Sequence, residues 1–156
     1  MKRPFLDTSI LIGGFIDFGD SSTAPMAIID RIAEKRIRKA ATAWHCCLEF
    51  YSVATRLPEE FRLSTETARE FVIEEIMTRL DIRELDAAWQ ENFLTDAGKQ
   101  GLRGGRIYDH HIGTIALNDG ASVIVTENKK HFLPFADKGL PVLTAGEFLN
   151  ASDSMP

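Results

Sequence analysis

Apolar positions in this chain fall into two kinds of run. Short blocks such as "FLDTSILIGGF", "AATAW", "SVIVT" and "LPVLT" are continuous or β-branched and bounded by polar residues, the pattern of short buried strands. Between them lie longer stretches with apolar residues at helical spacing. "MAIIDRIAEKRIRK" places Ile28, Ile29, Ile32 and Ile37 near one face, with Arg31, Lys35, Arg36, Arg38 and Lys39 on the others. "CLEFYSVATRL" predicts a helix carrying Glu49 in its N-terminal turn. "LSTETAREFVIEEIMTRL" predicts another, capped by Ser64 or Thr65. "DIRELD" alternates weakly as a strand, and "AAWQENFLTDAGKQGL" predicts a helix that stops at the glycines of "GLRGGRIYD". "YDHHIGTIALNDG" predicts a helix closed by Gly120. The opening apolar block reads as a strand followed by a loop, and "DFGDSSTAP" as a turn-rich connection. Strands separated by helical segments imply a mostly parallel sheet covered on both faces, a three-layer α/β/α domain.

Composition fits that picture. The chain has 156 residues, 44% of them hydrophobic and 26% charged, enough for one domain with a genuine core and too apolar for disorder. No repeat or Pro/Gly-rich linker divides it, so residues 1–150 read as one domain and 151–156 as a short tail. No apolar run approaches the roughly 18 residues of a membrane span, and the start passes into "RPFLD" without a signal-peptide core, so the cytoplasm is the expected location. Cys46 and Cys47 are adjacent, which suits packing thiols rather than a disulfide. A net charge of -5 provides no global attraction to nucleic acid, so phosphate binding would need a local basic patch or a bound cation.

The polar residues at the ends of the predicted strands give that condition its interest. A carboxylate at the end of a buried first strand, Asp7, is costly unless paired, hydrogen-bonded or bound to metal. Glu49 opens a helix after the second strand, Asp109 begins a helix after a Gly-Gly loop, and Thr126, Glu127 and Asn128 end "SVIVT". Ligands of parallel α/β sheets sit outside the carboxyl ends of the strands, so these distant segments converge on one rim if the sheet is as predicted. Oxygen donors of this kind suit a hard divalent cation such as Mg²⁺ or Mn²⁺, and without one the carboxylates repel.

"FLDTSIL", "CLEFYSVATR", "GGRIYDHHIGTIAL" and "IVTENKKHF", in this order and at these intervals, resemble the four motifs of PIN-domain ribonucleases, most closely the VapC-type toxins of toxin–antitoxin pairs. The likeness runs from about Pro4 to Leu149. Single motifs are weak, and the combination carries the signal. The resemblance implies a PIN-like domain in which Asp7, Glu49 and Asp109 bind Mg²⁺ or Mn²⁺ and Asn128 takes a fourth catalytic position held by Asp or Asn in relatives. Thr8 or Ser9 and Thr126 would orient carboxylates or a water, and Lys129, Lys130, Arg103 and Arg106 would hold RNA phosphates. The implied chemistry is metal-assisted hydrolysis of RNA phosphodiester bonds with no covalent nucleophile on the protein. The implied partners are an antitoxin that inserts a segment into the acidic groove and a second copy of the chain in a homodimer.

Other readings of the same residues predict different chemistry. With Asn at the fourth position only three carboxylates remain, and a PIN-like module that binds RNA or protein with little or no cleavage is the alternative. "LDTS" also resembles the aspartate nucleophile motif of haloacid-dehalogenase-type phosphatases, but Ser9 stands where that motif needs a second aspartate. His110 and His111 project about 100° apart on a helix and are expected to pack or face solvent. His131 is expected to cap or pack its segment, and His45 to stand without a partner. Trp44, Trp89 and Phe132 are expected in the core, the basic stripe of residues 31–39 on a solvated helix face, and Glu127 pointing away from the rim.

Overall fold

The computed structural model describes residues 3–154. Five short strands form one parallel sheet: β1 (Pro4–Leu6), β2 (Ala41–Ala43), β3 (Asp81–Arg83), β4 (Val123–Val125) and β5 (Val142–Leu143), in the order β3-β2-β1-β4-β5. All four pairings are parallel, with Phe5 opposite both Ala41 and Ile124. β1, β2 and β4 are buried throughout; β1 and β4 therefore read as continuous apolar runs rather than alternating ones, and the one hydroxyl in β2, Thr42, donates to the Leu6 carbonyl at 2.7 Å. The expectation of a three-layer α/β/α domain is borne out.

Parallel neighbours need crossovers, and their handedness sorts the helices. From β1 the chain steps through α1 (Thr8–Phe15) and α2 (Thr23–Ala33) to β2, and through α3 (Trp44–Ala54), α4 (Thr65–Glu70) and α5 (Met77–Arg79) to β3. It then jumps back across the sheet through α6 (Gln90–Lys99) and α7 (Arg106–Asn118) to β4, and through α8 (Lys129–Ala136) to β5. Right-handed crossovers put the first set on one face and the second on the other. The packing follows that division: α1 lies against α2 and α3, and α7 against α6 and α8. α9 (Ala145–Asp153) returns to α2, where Arg31 and Asp153 pair at 2.8 Å, so the helix runs into the segment read as a tail. The strand order reverses between β1 and β4, and a crevice opens at that point of an α/β sheet.

Several local expectations are corrected. The loop foreseen after β1 is a helix beginning at Thr8, immediately after Asp7. α2 stops at Ala33; beyond it Lys35 and Lys39 take positive φ, 61° and 59°, so the last part of the basic stripe lies in turns, not on a helix face. Ser64 caps α4 as expected, its side chain accepting from the Thr67 N–H at 3.1 Å, but a π-helical stretch, Phe71–Ile76, links α4 to α5. Phe132 is fully buried, whereas Trp44 and Trp89 are 37% and 49% exposed, which removes both tryptophans from the core. Cys46 and Cys47 are buried and unpaired, and burial pushes their thiols up to about 12 and about 11 respectively. That is the expected behaviour of packing cysteines.

One close approach holds the second helical layer together. Gly113 of α7 faces the ring of Phe135 in α8, which is 2% exposed, and a Cβ at position 113 would overlap that ring. Gly98 of α6 has no neighbour within 4 Å of a Cβ position. Gly113→Ala is therefore expected to lower stability by about 1–3 kcal/mol through overpacking, while Gly98→Ala raises it by about 0.5–1 kcal/mol through helix propensity. Urea unfolding of the two variants checks the contrast, and equal effects would refute it.

Candidate active site

The crevice at the β1/β4 reversal is organised around Asp7, which is 4% exposed. Its main-chain N–H bonds the Val125 carbonyl at 3.1 Å, which continues the β1/β4 ladder one residue past the strand. Its side chain is held by two hydroxyls. Thr126 Oγ1 donates to Oδ2 at 2.8 Å and Ser9 Oγ donates to the same oxygen at 3.0 Å. Each hydroxyl in turn accepts a backbone N–H from the turn after β4: Asn128 N–H to Thr126 at 3.0 Å, and Glu127 N–H to Ser9 at 3.0 Å. A hydroxyl has one proton to give, so the donors and acceptors of this small network are fully assigned. The 3.4 Å approach of Ser9 and Thr126 is then a contact between groups whose protons point elsewhere.

Glu49 projects toward the same place from the second turn of α3, later in the helix than expected. Thr8 Oγ1 donates to its Oε1 at 3.0 Å, and His45, one turn earlier, brings Nε2 to 3.3 Å of the same oxygen. Thr8 and Ser9 thus divide the orienting role, Thr8 serving Glu49 and Ser9 serving Asp7. Asp109 comes from the first turn of α7, which begins at Arg106 rather than at the aspartate, and lies 3.3 Å from Nδ1 of His131 in α8. The expectation for two histidines is corrected: His45 and His131 each meet an acidic residue of the crevice. His111 was expected to pack or face solvent; it is half-buried with Nδ1 3.2 Å from Nδ1 of His45, so one of the two nitrogens must carry the proton. His110 is 6% exposed and stacks on Phe93 with centroids 5.0 Å apart, a packing role.

The electrostatics show that the three carboxylates sense one another. Burial raises the Asp7 carboxyl above its ordinary value; the Thr126, Ser9 and Thr8 hydrogen bonds oppose this and the Glu49 charge adds to it. Asp109 is also raised, first by burial and then by the charges of Asp7 and Glu49, with His131 and Arg106 pulling the other way. For Glu49 burial pushes up as well, but the hydrogen bonds of His45 and Thr8 outweigh it and hold the group low. Asp7 and Asp109 are therefore on one side of the molecule, within range of mutual repulsion.

The other rim residues are less committed. Asn128 is exposed; it precedes α8, an element missed in the sequence, without capping it, its side chain making no bond to the helix N-terminus. Glu127 turns aside as expected and accepts the Ala145 N–H at 3.0 Å. Arg103, Arg106 and Lys130 are exposed, Arg106 near enough to Asp109 for its charge to act on that carboxyl, whereas Lys129 is engaged by Glu147 at 2.9 Å. Among the described residues no three His, Cys, Asp or Glu side chains are gathered tightly enough to form a closed metal cage. All the crevice carboxylates are hard oxygen donors, and each is oriented by neighbours. That set fits an open site in which waters and substrate oxygens complete the coordination, the habit of Mg²⁺.

Sheet order and reversal point give a PIN-like fold, and the likeness to VapC-type ribonucleases seen in the motifs is borne out by the comparisons. No protein-family model matches the chain. It is similar to ribonuclease VapC40 of Mycobacterium tuberculosis, 26% identical over 121 residues that cover 78% of this chain and 84% of the relative. Among solved structures, VapBC-1 from nontypeable Haemophilus influenzae aligns with TM-score 0.62 and 20% identity over 92% of this chain and 98% of the other. Mycobacterium tuberculosis VapC20, described as a sarcin-ricin loop cleaving toxin, aligns with TM-score 0.63 and 13% identity over 88% and 96%. At these identities the structural likeness establishes the fold.

The raised Asp7 carboxyl has a measurable sign. A folded-state value above the ordinary 3.8 means that the folded protein binds this proton more readily than the unfolded chain. Stability then rises as pH falls through the raised value, and at neutral pH the buried charge is a burden. Asp7→Asn, whose amide oxygen can still accept from Thr126 and Ser9, is expected to raise the melting temperature in metal-free buffer at pH 7.5. The advantage should shrink as pH approaches 3.8. A variant less stable than the parent at pH 7.5 would contradict this account.

Proposed function

We propose that this protein is a metal-dependent endoribonuclease that hydrolyses RNA phosphodiester bonds as the toxin of a toxin–antitoxin pair. The observation that carries the reading is the mutual repulsion of Asp7, Glu49 and Asp109 at the β1/β4 reversal, in a chain similar to a ribonuclease of the VapC type. Carboxylates kept this close, two of them with raised values, are a standing deficit of positive charge that a divalent cation relieves.

Asp7, Glu49 and Asp109 would hold Mg²⁺ or Mn²⁺, and the Asn128 amide oxygen would add a neutral fourth donor. When bound, the cation supplies Lewis acidity toward the phosphate and the attacking water. The remaining steps belong to the chain. Ser9 and Thr126 fix the Asp7 carboxylate against rotation, and Thr8 and His45 do the same for Glu49. His131 steadies Asp109 and stands where it can pass a proton to or from the crevice. Arg106, with Arg103 and Lys130, would bind RNA phosphates, so binding should weaken with salt. Lys129 is the weaker candidate because Glu147 already engages it. No side chain is assigned a nucleophilic role, since the attacking group is water.

The antitoxin partner follows from the same reading. An arginine of an inserted segment would pair with the crevice carboxylates and displace cation and substrate. A second copy of the chain would cover apolar residues exposed on α3 and its neighbours, such as Leu48, Tyr51, Ile73 and Met77. Among the described residues no helix is long and apolar enough to cross a membrane. Among the described residues no three donors form a preformed cage, which favours one second reading, an RNA- or protein-binding module with little cleavage.

Cleavage of a labelled RNA panel separates the two. The wild-type protein is expected to cut in Mg²⁺ and not in chelator, and Asp7→Asn and Asp109→Asn are each expected to reduce the rate by about 10²-fold or more. Binding with no magnesium-dependent cleavage would replace the nuclease with the binding module.

A further inference from the structure

Beside the acidic crevice the surface opens into a cavity of about 540 Å³. That volume lies within the range of about 300–1,000 Å³ of sites that take small ligands. One wall is made of rings in sequence. Tyr108 lies 5.2 Å from His45, centroid to centroid, at a tilt of 39°; His45 meets His111 edge-on at 5.1 Å; and His111 lies 5.3 Å from Phe93. Trp44 adds a fifth ring to the lining, 37% exposed, and Tyr108 is 54% exposed, so both have aromatic surface without a protein partner. The polar groups of the lining beyond these rings include the Gln90 amide and the Glu84 carboxylate, both on the exposed surface.

The cavity is joined to the crevice by shared residues. His45 lines it and also holds Glu49, and Tyr108 lines it immediately before Asp109. A strand of RNA whose phosphate sat at the carboxylates would have a neighbouring base at this wall. The chemistry of the lining suits the base and not the backbone. Aromatic and imidazole faces stack on any base, an amide and a carboxylate can bond a base edge, and the Glu84 charge repels phosphate. The basic residues suited to phosphates, Arg103 and Arg106, are exposed near the start of α7.

We propose that this ring-walled cavity is a nucleobase subsite that takes one unstacked base of single-stranded RNA next to the phosphate held in the crevice. It rests on the RNA reading given above and adds a requirement to it: the substrate must present a flipped or unpaired base at a fixed position from the cut. Cleavage is thereby directed to loops and single strands, because a base within a helix cannot reach the wall without unstacking.

The test uses Asp109→Asn protein, Mg²⁺ and a single-stranded RNA octamer with 2-aminopurine placed at each position in turn. Quenching is expected at one position, and an abasic nucleotide there should weaken binding about tenfold, the loss of one stacked base. Tyr108→Ala should give the same loss while Tyr108→Phe restores affinity, and the exposure of Tyr108 leaves the melting temperature of both variants near that of the parent. Equal affinity for abasic and intact RNA at every position would overturn the proposal. So would a Tyr108→Ala protein that binds RNA normally but no longer retains a co-expressed antitoxin, which would make the cavity a protein-docking groove. If the wild type fails to cleave any RNA yet the base and Tyr108 dependences are found, the hydrolytic reading falls and the subsite stands.

Discussion

Two hydroxyls pointed at one buried carboxylate oxygen hold this site together. Thr126 follows β4, Ser9 lies in the first turn of α1, and both give their only proton to Asp7 Oδ2 while receiving backbone N–H groups from residues 127 and 128. An aspartate at 4% exposure without those bonds would be expelled, protonated, or left as an unpaired buried charge. With them, the strand pairing of β1 and β4, the first turn of α1 and the turn leading into α8 are tied to a single oxygen. The carboxylate is as much a structural tie as a chemical group, and its orientation cannot change without disturbing three elements.

The same logic repeats outward with less burial. Glu49 is oriented by Thr8 and His45, and His45 by His111; Asp109 is steadied by His131. Each carboxylate has a neighbour that aligns it without neutralising the group as a whole, and for Asp7 and Asp109 burial and mutual repulsion still raise the carboxyl. Negative charge is thus held in place by hydrogen bonds, which suits the exchangeable divalent ion of the proposed function.

Much of this was legible in the residues. β1 and β4 are buried on both sides, so their apolar runs are unbroken, and the polar residue that follows each, Asp7 or Thr126, marks the rim. The rim positions of Asp7, Thr126 and Asn128 follow from that alone. What was not legible depended on contacts between elements distant in sequence. α8 is "KKHFLPFA", where an internal proline and a lysine pair hide an amphipathic helix with Phe132 and Phe135 on its buried side, the Phe135 ring seated against Gly113 of another element. The histidines were misjudged for the same reason. His45 pairs with Glu49 at helical i,i+4 spacing, a signal present in the sequence, whereas the approach of His131 to Asp109 requires α8 to pack on α7. Trp44 and Trp89 were assigned to the core by residue type, which fails where aromatic surface lines a cavity, as Trp44 does beside the crevice and Trp89 does in a second pocket.

The exposed rings and the buried carboxylates have a common cause in topology. β3 and β4 are adjacent in chain order but separated in the sheet by β2 and β1, so the segment that connects them must pass over one face through α6 and α7. That passage carries Phe93, Tyr108 and His111 up to α3, the helix that also supplies His45 and Glu49. The reversal that lets Asp7 and Thr126 face each other therefore also fixes an aromatic wall one side chain away from the acidic group. The acidic group and the aromatic wall lie side by side because a single crossover has to reach back across the sheet.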